Sequence, residues 1–321
     1  MEVLVVGNTA YVDDDFCAKA FPGDHVQVVA ADDAQRESSS HSSWKELLCH
    51  LDQAYEFDRV VYLSTYLTPH TETFGDIELL RSVFRACMGR RVQLLFVAGP
   101  AGSEGAGGAA SVDDAPNATD VAAQTGKGII ARAANDLCRY YASQDDIQAK
   151  ILCTPYLYTA SAALDDPFLV PLFEACSTGS VALQGAADAP FPLCAEELAV
   201  LVHRVFDSWD ATFETLDVAD AFHRTTGDLG GALQGLFPAL SVAYGESTGY
   251  ALPTGDVARK RYGWFQRYDL LRDLSTIHAR WANTRTKKAN PLRAAIDRIQ
   301  LRALPIKCLE TGFAWVLFEV L

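Results

Sequence analysis

No apolar run in this sequence reaches the roughly 18 residues that a membrane-spanning helix needs, and the chain has no CxxC pair and no HxH or HxxxH spacing. Neither a spanning helix nor a local zinc site is written into it. Basic side chains are also scarce. The 27 Lys and Arg face 41 Asp and Glu, a net charge of −14 that repels phosphate backbones and argues against nucleic acid as a partner. The eight cysteines stand singly, mostly inside apolar segments, and read as buried free thiols of a reducing compartment. The start, MEVLVVG, lacks the basic opening and long apolar stretch of a secretion signal, so the expected location is the cytoplasm, with the sequon at Asn117 accidental.

What is present is ordinary globular composition, 49% hydrophobic and 21% charged, over 321 residues, enough for one large α/β domain or a domain with a smaller appendage. The charge is uneven. Residues 282–321 hold seven basic and three acidic side chains (+4), which leaves 20 basic against 38 acidic (−18) in residues 1–281.

Short runs rich in Val, Ile and Leu, at 2–6, 25–30, 59–64, 92–98 and 150–154, alternate with helical patterns at 14–20, 43–55, 74–88 and 125–142. Such alternation predicts a parallel sheet covered by helices on both faces: a Rossmann-like, doubly wound α/β fold of five strands and four crossovers. From 101 to 126 the sequence collapses into Ala, Gly, Ser and Asp, a composition of either a functional lid or a disordered loop, with the loop favoured. Beyond Pro155, helices are expected at 166–177, 195–209 and 218–225, followed by a Gly-rich stretch to residue 254; together these read as a smaller second lobe. The expected division is 1–160, 161–281 and a helical C-terminal extension at 282–321.

The blocks MEVLVVGNTAYVDDDF, HVQVVAADD, FDRVVYLST, TFGDIELLRSVFRAC, VQLLFVAG, TGKGIIARAANDLCRYY and KRYGWFQRYDLLRDLSTIHARW follow one another in an order that resembles the extended short-chain dehydrogenase/reductases, the NAD-dependent epimerase/dehydratase family. The resemblance spans residues 1 to about 281. It implies a Rossmann domain that binds NAD(P), a smaller lobe for a nucleotide sugar, and a Tyr/Lys pair with a Ser or Thr for proton and hydride chemistry. The positions equivalent to the family's cofactor-binding residues are Gly7, Ala10, Asp13, Asp32 and Ser64.

The departures from that pattern carry the functional argument. The family's GxxGxxG turn lets a pyrophosphate approach backbone N–H groups at a helix start, and here its glycine positions hold Gly7, Ala10 and Asp13, followed by Asp14 and Asp15. Acidic capping of an ordinary helix is the favoured reading of those three carboxylates. Asp32 reads equally as a ribose ligand or as a solvated loop acid. Lys127 matches the family's Lys, yet Ala123 stands four residues before it and no Tyr occurs between Leu67 and Arg139. The fourth strand ends in Ala98 and Gly99 where the family has a Ser pair, which leaves Ser103 as a distant substitute. Losing a tuned phenol removes a proton transfer typically worth about 10²- to 10⁴-fold in rate. Lys127 and Ser103 are thus weak catalytic candidates, and Lys127 reads better as a surface helix lysine.

Other constellations add little. The glycines at 99, 102, 105, 107 and 108 lack the GK[ST] ending of a phosphate loop, and no GxSxG elbow occurs. Tyr156, Tyr158, Trp264 and Phe265 are expected to pack the seam between lobes, with stacking of a base or sugar as the alternative. Residues 282–321, basic and then apolar through CLETGFAWVLFEVL, read as a membrane-surface segment, as a docked terminal helix, or as the edge of a longer protein, with a membrane or a partner protein engaged through it.

The leading expectation is a diverged, non-catalytic binding or regulatory module with no cofactor and no metal, its ligand a small molecule if there is one. The alternatives are an active NAD(P)-dependent nucleotide-sugar epimerase or dehydratase, and a membrane-associated interaction domain at the inner face of a membrane.

Overall fold

A computed structural model of the chain describes residues 1–30, 57–64, 67, 75–99, 126–144, 147–160, 166–183, 186–210, 213–245 and 255–289. The expected helix at 43–55, the 101–125 loop, Asp32, Ser103, Cys49, Cys308 and residues 290–321 lie outside the described residues.

Six strands form one sheet: β1 (Glu2–Gly7), β2 (His25–Ala30), β3 (Arg59–Leu63), β4 (Val92–Ala98), β5 (Ile147–Cys153) and, later in the chain, β9 (Glu214–Asp217). Their order is β2-β1-β3-β4-β5-β9, and every pair is parallel. Runs such as Val3 to Val6 and Val60 to Leu63 are buried along their whole length because both sheet faces are covered. On one face Val5, Val61, Leu95, Val97 and Leu152 pack under α1 (Asp14–Ala20) and α5 (Ala195–Asp207). On the other, Val6, Tyr62, Phe96 and Ile151 pack under α2 (Gly75–Cys87) and α3 (Gly126–Ala142).

A separate apolar cluster forms the second lobe. It joins α4 (Leu169–Ser177), α6 (Thr226–Leu236) and α8 (Leu270–Ala289) through Phe173, Leu233, Ile277 and Trp281. Two short parallel ladders accompany it: β6 (Leu157–Tyr158) with β8 (Leu193–Cys194), and β7 (Ser180–Leu183) with β10 (Ser241–Tyr244). A further short helix, α7 (Asp256–Tyr262), leads into the buried Trp264.

Several expectations need correction. The sheet has a sixth strand, β9, and β5 starts at Ile147, so Lys150 is a mid-strand residue and fully buried rather than a strand opening. No helix spans 218–225: Asp220 accepts the N–H groups of Phe222 and Arg224, His223 adopts φ 54°, and the helix begins only at Thr226. That helix and β10 occupy the stretch expected to be merely Gly-rich. Helix α4 starts three residues late, with Phe168 at its N-cap position, because Asp166 folds a turn ahead of it, accepting from Phe168 at 2.8 Å and from Leu169 at 2.5 Å. Of the four seam aromatics, Tyr158 and Trp264 are buried, but Phe265 is 74% exposed. Five of the described cysteines are buried free thiols; Cys17 is half-buried.

Candidate active site

In an open α/β sheet, ligands enter the crevice outside the carboxyl ends of the strands where the winding reverses. Here the reversal lies at β1, with β2 on one side and β3 on the other, so the crevice opens above Gly7 and Ser64. Gly7 has φ 110°, and a Cβ built on it would lie 2.1 Å from the Leu63 carbonyl oxygen, so no other residue fits there. The chain then turns tightly. Asn8 donates its N–H to Leu63 at 2.9 Å, its side chain accepts from Ala10 at 3.2 Å, and residues Thr9–Tyr11 form one 3-10 turn.

Asp13 N-caps α1, accepting the N–H of Phe16 on Oδ1 at 2.8 Å; Asp14 and Asp15 follow in the first turn. All three are exposed, and Asp15 pairs with Lys19 at 2.5 Å. Sequence and geometry agree on a capping role. The consequence for a dinucleotide is unfavourable. Two N–H groups of this stretch, those of Ala10 and Phe16, already serve the side chains of Asn8 and Asp13. A phosphate about 4 Å from one of these carboxylates would be repelled by about 1 kcal/mol in water and about 4 kcal/mol at an effective dielectric near 20. The turn keeps the glycine that shapes it and sets three carboxylates at the start of the helix that follows.

The remaining positions are scattered by role. Ser64 is buried and donates its N–H to Val97 at 2.9 Å, a sheet-edge contact. Lys127 lies in the first turn of α3, with Ala98 and Gly99 buried at the end of β4. Thr154, unremarked in the sequence, brings a buried hydroxyl to the same edge, but donates it to the Ala98 carbonyl at 3.2 Å.

Sequence reasoning missed the carboxylates that join the lobes. Asp166 also accepts the N–H and hydroxyl of Thr159 at 2.6 and 2.8 Å, and burial lifts its carboxyl above the usual range against those four hydrogen bonds. Glu196 accepts from Ala160 at 3.2 Å and from the Cys194 thiol at 2.7 Å. Glu197, its neighbour on α5, accepts the N–H groups of Arg267 and of Tyr268, the latter at 2.9 Å, while its own carbonyl accepts from Trp264 Nε1 at 3.1 Å. Acidic pairs at a helix start were legible, but which backbone they serve is set by the tertiary fold. Tyr11 was also missed: its hydroxyl is buried without a hydrogen-bond partner among the described residues. Burial first, then the charge of Asp166 and the nearby Tyr156, pushes that phenol well above its usual value. Tyr158 moves the same way, through burial and the neighbouring Cys194 and Glu196. Among the described residues no group of three or more His, Cys, Asp or Glu is placed to hold a metal ion, and no helix is long and apolar enough to cross a membrane.

No protein-family model matches the chain, and no curated protein is detectably similar in sequence. Solved structures do match. The chain is similar to dTDP-glucose 4,6-dehydratase from Bacillus anthracis in complex with NAD, at 13% identity and a TM-score of 0.61 over 88% of this chain and 97% of that one. It is similar to UDP-glucuronic acid 4-epimerase from Bacillus cereus in complex with UDP-glucuronic acid and NAD, at 13% identity and 0.59, over 88% and 100% of the two chains. MoeE5 in complex with UDP-glucose and NAD matches at 14% identity and 0.58, over 89% and 100%. With its six parallel strands and helices on both faces, the chain therefore has the fold of the NAD-dependent nucleotide-sugar epimerases and dehydratases, the extended short-chain dehydrogenase/reductase fold.

Proposed function

We propose that this chain is a non-catalytic binding or regulatory module that keeps the crevice of the extended short-chain dehydrogenase fold and has given up its dinucleotide. The observation that carries the reading is the Asp13 carboxylate, hydrogen-bonded to Phe16 N–H at 2.8 Å where the fold's pyrophosphate turn begins its helix. Two further observations support it. No Tyr stands four residues before Lys127, and the buried phenols of Tyr11 and Tyr158 are shifted upward, against the direction proton transfer near neutral pH requires. A ligand of this crevice is small and carries no diphosphate.

The competing reading is an NAD(P)-dependent nucleotide-sugar epimerase or dehydratase. It is favoured by the NAD and UDP-sugar complexes of the similar structures and by the retained Gly7. Thermal unfolding with NAD, NADP, UDP-glucose or UDP-glucuronic acid separates the two. A ligand at 100 times its dissociation constant adds about 2.7 kcal/mol of stability, a rise of several degrees. The module predicts no rise with any of the four; a clear rise with NAD or NADP overturns the claim that the dinucleotide has been given up, and turnover of a UDP-sugar establishes the enzyme reading.

A further inference from the structure

Three large apolar side chains project near one another from the 219–223 turn and the 255–268 stretch: Phe265 at 74% exposure, Val257 at 61% and Phe222 at 48%. Their backbones are tied together. Ala221 donates its N–H to Gln266 Oε1 at 2.7 Å, and Gln266 Nε2 donates to Asp220 at 2.8 Å, which lays the 219–223 turn against the loop bearing Phe265. On the other side, the start of α7 lies so close that a Cβ on Gly255 would fall 2.8 Å from the Ala219 nitrogen, two residues before Val257. One face of Phe222 is covered by the Arg224 guanidinium, 4.4 Å from the ring centre. Phe265 extends from the loop that follows the left-handed Gly263.

The rim of this patch is basic in a chain of net charge −14. Residues 255–268 hold Arg259, Lys260, Arg261 and Arg267 against Asp256, and the 219–223 turn adds the buried Asp220. Arg259 is paired with Asp256, and Arg261 with Asp210 and Glu214. Lys260 and Arg267 are exposed and make no ion pair among the described residues; Lys260 shares the face of α7 with Val257, one turn away.

Projecting aromatic and aliphatic side chains beside unpaired cations match an anionic interface into which they insert. We propose that Phe222, Val257 and Phe265, with Lys260 and Arg267, form a peripheral membrane-binding surface for anionic lipid. The rings enter the headgroup boundary while the two cations meet lipid phosphates. The acidic remainder of the surface does not forbid this, since at 0.15 M salt charges more than about 8 Å away are largely screened.

The test is flotation of the full chain with phosphatidylcholine vesicles and with vesicles containing phosphatidylserine. Three proteins are compared: the natural chain, Phe222→Ser/Val257→Ser/Phe265→Ser, and Lys260→Glu/Arg267→Glu. All the altered side chains are exposed, and matching circular dichroism and melting temperature show that the variants fold. Binding is expected only to the anionic vesicles. The charge variant should lose about tenfold or more and the apolar variant on the order of a hundredfold. No flotation of the natural chain overturns the proposal, and so does binding that both variants retain, which would locate the contact elsewhere, as in residues 290–321. Capture of a polyglutamate peptide through the same residues without vesicle binding overturns it in favour of an acidic protein partner.

Discussion

The carboxylate of Asp13 holds the Phe16 N–H at 2.8 Å, and the same residue's backbone carbonyl receives Cys17 N–H at 3.0 Å, so side chain and main chain of one residue together close the first turn of α1. The turn between β1 and α1 is thereby self-sufficient. Its two short hydrogen-bonded turns are closed by the side chains of Asn8 and Asp13.

That relationship predicts a split between two substitutions. Asp13→Asn keeps a side-chain oxygen for Phe16 and should cost only a few tenths of a kcal/mol. Asp13→Ala removes the cap and should cost about 1 kcal/mol, or roughly 2–4 °C in melting temperature for a chain of this size. Equal losses for both, measured by urea unfolding, would mean that the negative charge rather than the hydrogen bond stabilises the helix start.

Glu197 ties helix α5 to the loop that carries Trp264. It is buried, accepts two backbone N–H groups on one oxygen, and has none of the solvent that could replace it. Glu197→Ala strands the donors of Arg267 and Tyr268 and opens space beside Trp264, so a loss of about 3–5 kcal/mol is expected by denaturant unfolding. Glu197→Gln retains the accepting oxygen and should lose less than half as much.

What the sequence made legible follows from what is local. Strands buried on both faces announce themselves as unbroken Val, Leu and Ile runs, and Gly7 marks itself because only glycine tolerates φ 110° that close to Leu63. The helix expected at 218–225 failed because Val218, Ala219 and Phe222 mimic a helical stripe, whereas the Asp220 side chain captures the local N–H groups and folds a turn. The true start was also written there, as Thr225 and Asp228 in a reciprocal capping box. The site's lobe-joining acids were not readable, since Glu196 and Glu197 act on backbone 36 and 70 residues away.

His278 lies among Phe173, Phe237 and Trp281, with ring centres 4.8–5.6 Å away, and burial lowers its pKa from the ordinary value. The neutral ring is therefore the form the fold prefers. As pH falls below about 6.5 the unfolded chain takes up a proton before the folded one does, and the stability contributed by this site declines until the folded pKa is passed. Melting temperatures measured from pH 8 to pH 5 should fall more steeply for the natural chain than for His278→Phe. Parallel curves would show that the ring contributes nothing to the acid response.

Lys150 presents the sharpest energetic test. Its ammonium is wholly buried in the middle of β5, 2.7 Å from Asp210 and 2.6 Å from Glu214, and 5.3 Å from the centre of the Trp209 ring. Both carboxylates also engage Arg261, and the Tyr262 hydroxyl donates to Glu214. Removing one member of a buried pair leaves an uncompensated charge, whereas removing both exchanges an ion pair for apolar packing. Lys150→Met alone should thus cost about 3–5 kcal/mol, because Glu214 keeps only the partly exposed Arg261 as a cation partner. Lys150→Met/Glu214→Leu should recover most of that loss. The cycle closes with Glu214→Leu, which leaves Asp210 to hold the lysine and should fall between the two. If the double variant unfolds at lower urea than Lys150→Met, the pair is a net source of stability rather than a device that fixes β9 in register against β5.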